Sequence, residues 1–136
     1  MLLNKFFSII SVNVVGEENQ LSADLVSKFL VHVEIHRDHP IFKGHFPGNP
    51  VIPGVCQIQM ITEILEKVFD KNFRLLNADN IKFLSMINPV ATESFSFELT
   101  CRFSFVDEMT VNAVAFKDQT TFLKLKAGYK SNILNN

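Results

Sequence analysis

The segment Gly54-Val-Cys-Gln-Ile-Gln-Met-Ile-Thr-Glu-Ile-Leu-Glu-Lys-Val-Phe-Asp70 decides how the chain folds, because it carries a sustained helical period in a sequence otherwise dominated by alternation. Val55, Ile58, Ile61, Thr62, Leu65, Val68 and Phe69 recur at helical spacing. Gln59, Glu63, Glu66, Lys67 and Asp70 form a narrow polar stripe. Met60 and Ile64 widen the apolar side beyond what a surface helix needs. The reading predicts a helix over 54–70, covered on most of its circumference.

Outward from that helix the period changes to two. Phe97, Leu99, Cys101, Phe103 and Phe105 interleave with Ser96, Glu98, Thr100, Arg102 and Ser104, the pattern of a half-buried strand. Phe29, Val31, Val33 and Ile35 alternate with Leu30, His32, Glu34 and His36. Leu123, Leu125, Ala127 and Tyr129 alternate with Lys124 and Lys126. Residues 110–117 read as a weaker strand, joined to the last one through a hairpin at 118–121. Residues 6–15 and about 80–87 are further strand candidates. Strands, one long helix and then strands without intervening helices define an α+β class with an antiparallel sheet. One sheet curled around one apolar helix would cover both. No repeat or linker interrupts the sequence, so residues 1–136 read as a single domain.

Composition sets the outer limits. A domain of 136 residues buries about 68 % of its unfolded surface, enough for a core without disulfides or metal. Thirteen Lys and Arg against fourteen Asp and Glu leave a net charge of −1, which argues against nucleic-acid binding. Fourteen Phe with one Tyr and no Trp suggest a dry core or an apolar ligand tunnel, and periodicity does not separate the two. Cys56 and Cys101 lack zinc-site spacing, so no metal is expected. The opening run is a poor signal peptide because Lys5 interrupts it, and no stretch is long enough to span a membrane. The expectation is a cytoplasmic protein.

The chemistry concentrates in residues 39–55. Four of the five prolines and three of the five glycines fall between residues 40 and 54, which predicts a rigid, shaped loop with no regular strand or helix. It places His45 between Gly44 and Phe46 and enters the helix at Pro53-Gly54-Val55 without a Ser, Thr, Asp or Asn to cap the first turn. Those N–H groups could serve a ligand carbonyl oxygen that becomes negative during reaction. A histidine nearby is suited to remove a proton beside that carbonyl.

Gly44 to Val55, a Gly-His-Phe-Pro-Gly-x-Pro-(apolar)2-Pro-Gly-Val run, resembles the 3-hydroxyacyl-acyl carrier protein dehydratases of fatty acid synthesis, and residues 80–89 extend the likeness more loosely. The resemblance implies the hot-dog fold, an antiparallel sheet wrapped around one long helix. It implies a homodimer or trimer of dimers with active sites at the interface. The substrate would be a 3-hydroxyacyl thioester on the phosphopantetheine of acyl carrier protein, with no other cofactor. His45 would take the α-proton and the Gly54 N–H would meet the thioester oxygen, with Phe46, Pro53 and Val55 against the substrate. One departure stands out. The family carries Glu or Asp fourteen residues after the His, on the partner's helix, and here that position is Gln59, an amide that donates no acidic proton. Glu63, one turn on, either supplies that proton in its place or sits on a solvated stripe and pairs with Lys67.

The remaining candidates carry less. His32 and His36 stand about 13 Å apart along a strand, too far to share a metal, and read as surface residues. His39 would set up the loop. Cys56 sits in the first helical turn, where a thiol pKa can fall, although no base stands beside it. Lys43, Lys82, Lys124 and Lys126 could meet an acidic carrier protein. Against dehydration in fatty acid or polyene-type synthesis stand a hot-dog subunit that binds carrier or acyl chain without catalysing, alone or with a related subunit, and an acyl thioesterase.

Overall fold

A computed structural model describes residues 1–19, 25–44, 48–105 and 107–132. Six strands form one sheet: β1 (Phe7–Asn19), β2 (Leu25–Ile35), β3 (Phe73–Phe83), β4 (Ser94–Phe105), β5 (Glu108–Lys117) and β6 (Thr120–Ser131). A single turn, α1 (Ile41–Gly44), and the long helix α2 (Gly54–Phe69) lie between β2 and β3. The strand order is β1-β2-β4-β5-β6-β3, with every neighbouring pair antiparallel. This is the α+β architecture that the segregated periods predict.

The alternating residues form the inner face. Phe97 pairs with Ala115 and Ala115 with Leu123; Leu99 pairs with Ala113 and Ala113 with Leu125. All six are buried. Two alanines stand between rows of larger side chains at the middle of the sheet, and Met60, Ile61, Ile64 and Leu65 of α2 belong to the same buried core. Phe69 closes the far end, its ring edge-on to Phe29 and Phe103 at centroid distances of 5.5 and 5.2 Å. The phenylalanines there act as core.

α2 stops where Asp70 turns left-handed (φ 53°) and its N–H returns to the Glu66 carbonyl. The Glu66 carboxylate then accepts the Phe73 N–H at 2.9 Å, starting β3. The β5–β6 hairpin turns at Asp118, φ 51°, within the predicted segment.

Two boundaries differ from the sequence reading. β3 begins at Phe73 and ends at Phe83, so its first half was missed and 84–87 lie beyond it. As an edge strand with mostly exposed side chains, it has no alternation to read. The loop expected to hold no helix contains α1, where Phe42 is buried against Phe6 with ring centroids 5.4 Å apart. His39 caps that turn, its Nδ1 accepting the Ile41 N–H at 3.2 Å. Among the described residues no helix is long and apolar enough to cross a membrane.

Candidate active site

Pro53 precedes α2 with φ −59° and ψ 145° and has no side-chain acceptor to offer the first turn. Its carbonyl takes the N–H groups of Cys56 and Gln57 at 3.0 and 3.2 Å. The N–H groups of Gly54 and Val55 find no acceptor among the described residues. These donors stand at the positive end of the helix dipole. The Phe83 ring of β3 packs onto Gly54, where a Cβ would lie 2.6 Å from the ring Cζ. A backbone hydrogen bond from Ile52 N–H to the Ile87 carbonyl, 2.9 Å, ties the approach to α2 to the segment after β3. Val55 projects outward, 75 % exposed.

One turn into the helix, Gln59 is exposed and its Nε2 donates to Glu63 Oε2 at 2.9 Å. Glu63 is only 3 % exposed. Its oxygens also accept the Leu2 N–H at 2.9 Å and the Leu3 N–H at 2.7 Å. The solvated stripe pairing Glu63 with Lys67 is therefore corrected: the chain before β1 lies across the carboxylate and replaces water. Lys67 remains exposed.

Pro53, Gly54 and Val55 thus share one helix end, with Gln59 and then Glu63 further along the same helix. His45 and Phe46 lie outside the described residues. Cys56 departs from the activated thiol that a first helical turn can produce, because burial pushes its pKa up. Cys101 is pushed up to about 12 by the same cause, and both thiols are free. His32 bonds Ser96 Oγ at 2.5 Å, while His36 meets Ser8 Oγ at 2.7 Å and the Lys5 carbonyl at 3.0 Å. Each is occupied within the sheet's own polar contacts.

Sequence reasoning passed over Gln57. It is 3 % exposed, its Nε2 donates to the Ile52 carbonyl at 3.3 Å, and its Oε1 has no partner among the described residues. The available signal was an amide among the buried positions of the first helical turns.

An uncapped helix start under an aromatic ring, on a hot-dog scaffold, defines a site suited to a ligand carbonyl. The family described as ApeI-like, ApeI dehydratase, matches residues 21–118, and the chain belongs to it. A 3-hydroxyacyl-[acyl-carrier-protein] dehydratase of Caulobacter sp. is 29 % identical over 72 residues, 46 % of this chain and 44 % of that protein. The chain thus spans under half the length of that relative. The fold is shared with the dehydratase heterocomplex ApeI:P from Xenorhabdus doucetiae, at TM-score 0.56 and 18 % identity, over 89 % of this chain and 99 % of the other. It is also shared with a hypothetical thioesterase of Streptococcus pneumoniae solved with coenzyme A, at TM-score 0.58 and 9 % identity, over 90 % and 86 %.

Proposed function

We propose that the chain removes water from a 3-hydroxyacyl thioester carried on acyl carrier protein, giving the trans-2-enoyl thioester. The observation that carries this reading is the pair of N–H groups at Gly54 and Val55 that find no acceptor among the described residues, beneath Phe83 and nine or ten residues after the motif histidine. The thioester oxygen accepts the Gly54 N–H, which stabilises the charge that develops when the α-proton leaves. His45 takes that proton. The carbon–oxygen bond then breaks and the enoyl double bond forms.

Gln59 changes how the departing hydroxyl is handled. Its amide orients the hydroxyl but supplies no acidic proton. Glu63 is poorly placed to replace it, because its oxygens already accept N–H groups from Leu2, Leu3 and Gln59. We assign Glu63 to positioning Gln59. The imidazolium of His45 is the acid that this leaves, and it returns the abstracted proton to the hydroxyl, releasing water. Atoms and charge balance without another cofactor.

Exposed apolar side chains at Val55, Phe83, Leu84 and Met86 border the site and support a second subunit there. A copy of this chain would make the homodimer. The second reading is a hetero-oligomer in which a related subunit supplies the carboxylic acid that Gln59 lacks, and the absence of a free acid along this helix face favours it. The test is turnover of a 3-hydroxyacyl carrier substrate, followed by enoyl absorbance. Enoyl product that disappears in His45→Ala supports the dehydratase, free carboxylic acid identifies a thioesterase, and no product from the chain alone points to the partner-dependent form.

A further inference from the structure

Gln57 closes the first turn of α2 and falls on its buried stripe with Met60, Ile61 and Ile64. The proposed chemistry does not use it. Packing alone does not ask for an amide at this place, because leucine or methionine would fill a similar volume with no polar atom to satisfy. Both of its nitrogens are engaged at the approach to the helix. The backbone N–H donates to the Pro53 carbonyl at 3.2 Å, beside the Cys56 N–H at 3.0 Å, and Nε2 donates to the Ile52 carbonyl at 3.3 Å. Only the nitrogen end of an amide can face a carbonyl in this way, so the side chain has one orientation.

The two carbonyls belong to the peptide units on either side of Pro53. A peptide unit is planar, so holding its oxygen sets the direction of its N–H. The Pro53 oxygen and the Gly54 N–H share one unit and point opposite ways. Between the two planes only ψ of Pro53, at 145°, can turn, because the ring fixes φ at −59°. Gln57 grips the plane before that bond with its side chain and the plane after it with its backbone. Ile52 is itself anchored, its N–H on the Ile87 carbonyl at 2.9 Å. The amide of Gln57 thus ties the helix start to a fixed point.

The N–H aimed by this arrangement is that of Gly54, which finds no acceptor among the described residues. Gly54 has no side chain to steady it, and the Phe83 ring leaves no space for one. We infer that Gln57 is a positioning residue, locking both peptide planes around Pro53 so that the Gly54 N–H stays aimed out of the helix start at the thioester oxygen. A donor held in place beforehand stabilises developing charge without having to turn during the reaction. The thioester as the group met rests on the dehydratase reading. The lock stands on the hydrogen bonds.

The test labels the glycines of the whole chain isotopically and follows their five backbone amide signals by NMR, the Gly54 signal being the one lost in Gly54→Ala. In Gln57→Met the Gly54 signal broadens or splits, while Gly16 on β1 and Gly128 on β6 keep theirs. Dehydration of a 3-hydroxyacyl N-acetylcysteamine thioester loses about 10–100-fold in kcat, with KM held within about twofold. Tyr129→Phe removes the hydrogen bond to Thr62 further along α2 and controls for plain loosening of the helix, leaving the Gly54 signal and kcat as they were. The same broadening in Tyr129→Phe, a Gly54 signal indifferent to Gln57→Met, or an unaltered kcat in that variant overturns the proposal. Should Gln57→Met not fold, the side-chain NH2 of Gln57 in the unaltered chain decides. Deuterium exchange at least about tenfold slower than at exposed Gln119 supports the lock, and equal rates overturn it. A Gly54 signal that answers to Gln57 in a chain that dehydrates nothing keeps the lock and loses the dehydratase reading. A dehydrating chain whose Gly54 signal ignores Gln57 loses the lock alone.

Discussion

Phe83 stands where a side chain on Gly54 would begin, its Cζ 2.6 Å from the position of the missing Cβ. Gly54→Ala must therefore displace the ring. Phe83 is 53 % exposed and has room to swing outward, so the stability cost stays near the lower end of the overpacking range, about 1 kcal/mol. On the dehydratase reading the catalytic cost is larger, because the methyl group occupies the approach to the Gly54 N–H. Dehydration falls by more than the melting temperature suggests. Phe83→Ala in the same chain restores the stability but not the rate, and a double-mutant cycle by urea denaturation and turnover reads the difference.

Replacing Glu63 tests the clamp on the start of the chain. Glu63→Gln keeps one carbonyl oxygen and turns an NH2 group toward the N–H groups of Leu2, Leu3 or Gln59. Loss of charge-assisted bonds in a buried setting costs about 1.5–3 kcal/mol. Urea denaturation measures it. If the carboxylate positions Gln59, kcat falls while KM for a small thioester changes little, and unaltered kcat would leave Glu63 a purely structural role.

Gln59→Glu places a second carboxyl group within hydrogen-bond distance of Glu63. Two such groups do not ionise independently, and one retains its proton to higher pH. That proton makes a general acid, a contribution of about 10²–10⁴ in rate. Dehydration rises, with an alkaline limb absent from the unaltered protein. An unaltered chain that is silent alone and switched on by this substitution belongs to the partner-dependent reading.

Burial of Cys101 predicts an alkaline weakness. Its thiol rises from 9.0 to about 12, so the folded form keeps the proton that an unfolded chain releases. The stabilisation is intact below pH 9 and is lost as pH rises from 9 through 12. Urea midpoints fall between pH 8 and pH 10, and Cys101→Val removes part of that fall. Thiol reagents label neither Cys56 nor Cys101 at neutral pH until denaturant is added, since both are buried.

How much the sequence disclosed depended on what each residue faces. β2, β4 and β6 were legible because their odd-numbered residues contact the core and their even-numbered ones largely face outward. β3 was half missed because Leu75, Leu76, Ile81 and Phe83 on its exposed edge leave no alternation, and its pairing with β6 is invisible locally. The uncapped start of α2 was visible in Pro53 and Gly54. The burial of Glu63 was not, since the groups that cover it are the backbone N–H groups of Leu2 and Leu3, which carry no residue signature. Gln57 was readable only by asking which amide falls on the helix's inner side.

The contact between Glu63 and the N–H groups of Leu2 and Leu3 spans about sixty positions of sequence. During synthesis those peptide groups leave the ribosome long before their carboxylate exists. The segment holding Leu2 and Leu3 must therefore wait, unlatched, until the central helix has formed, and fastening it belongs among the late events of folding.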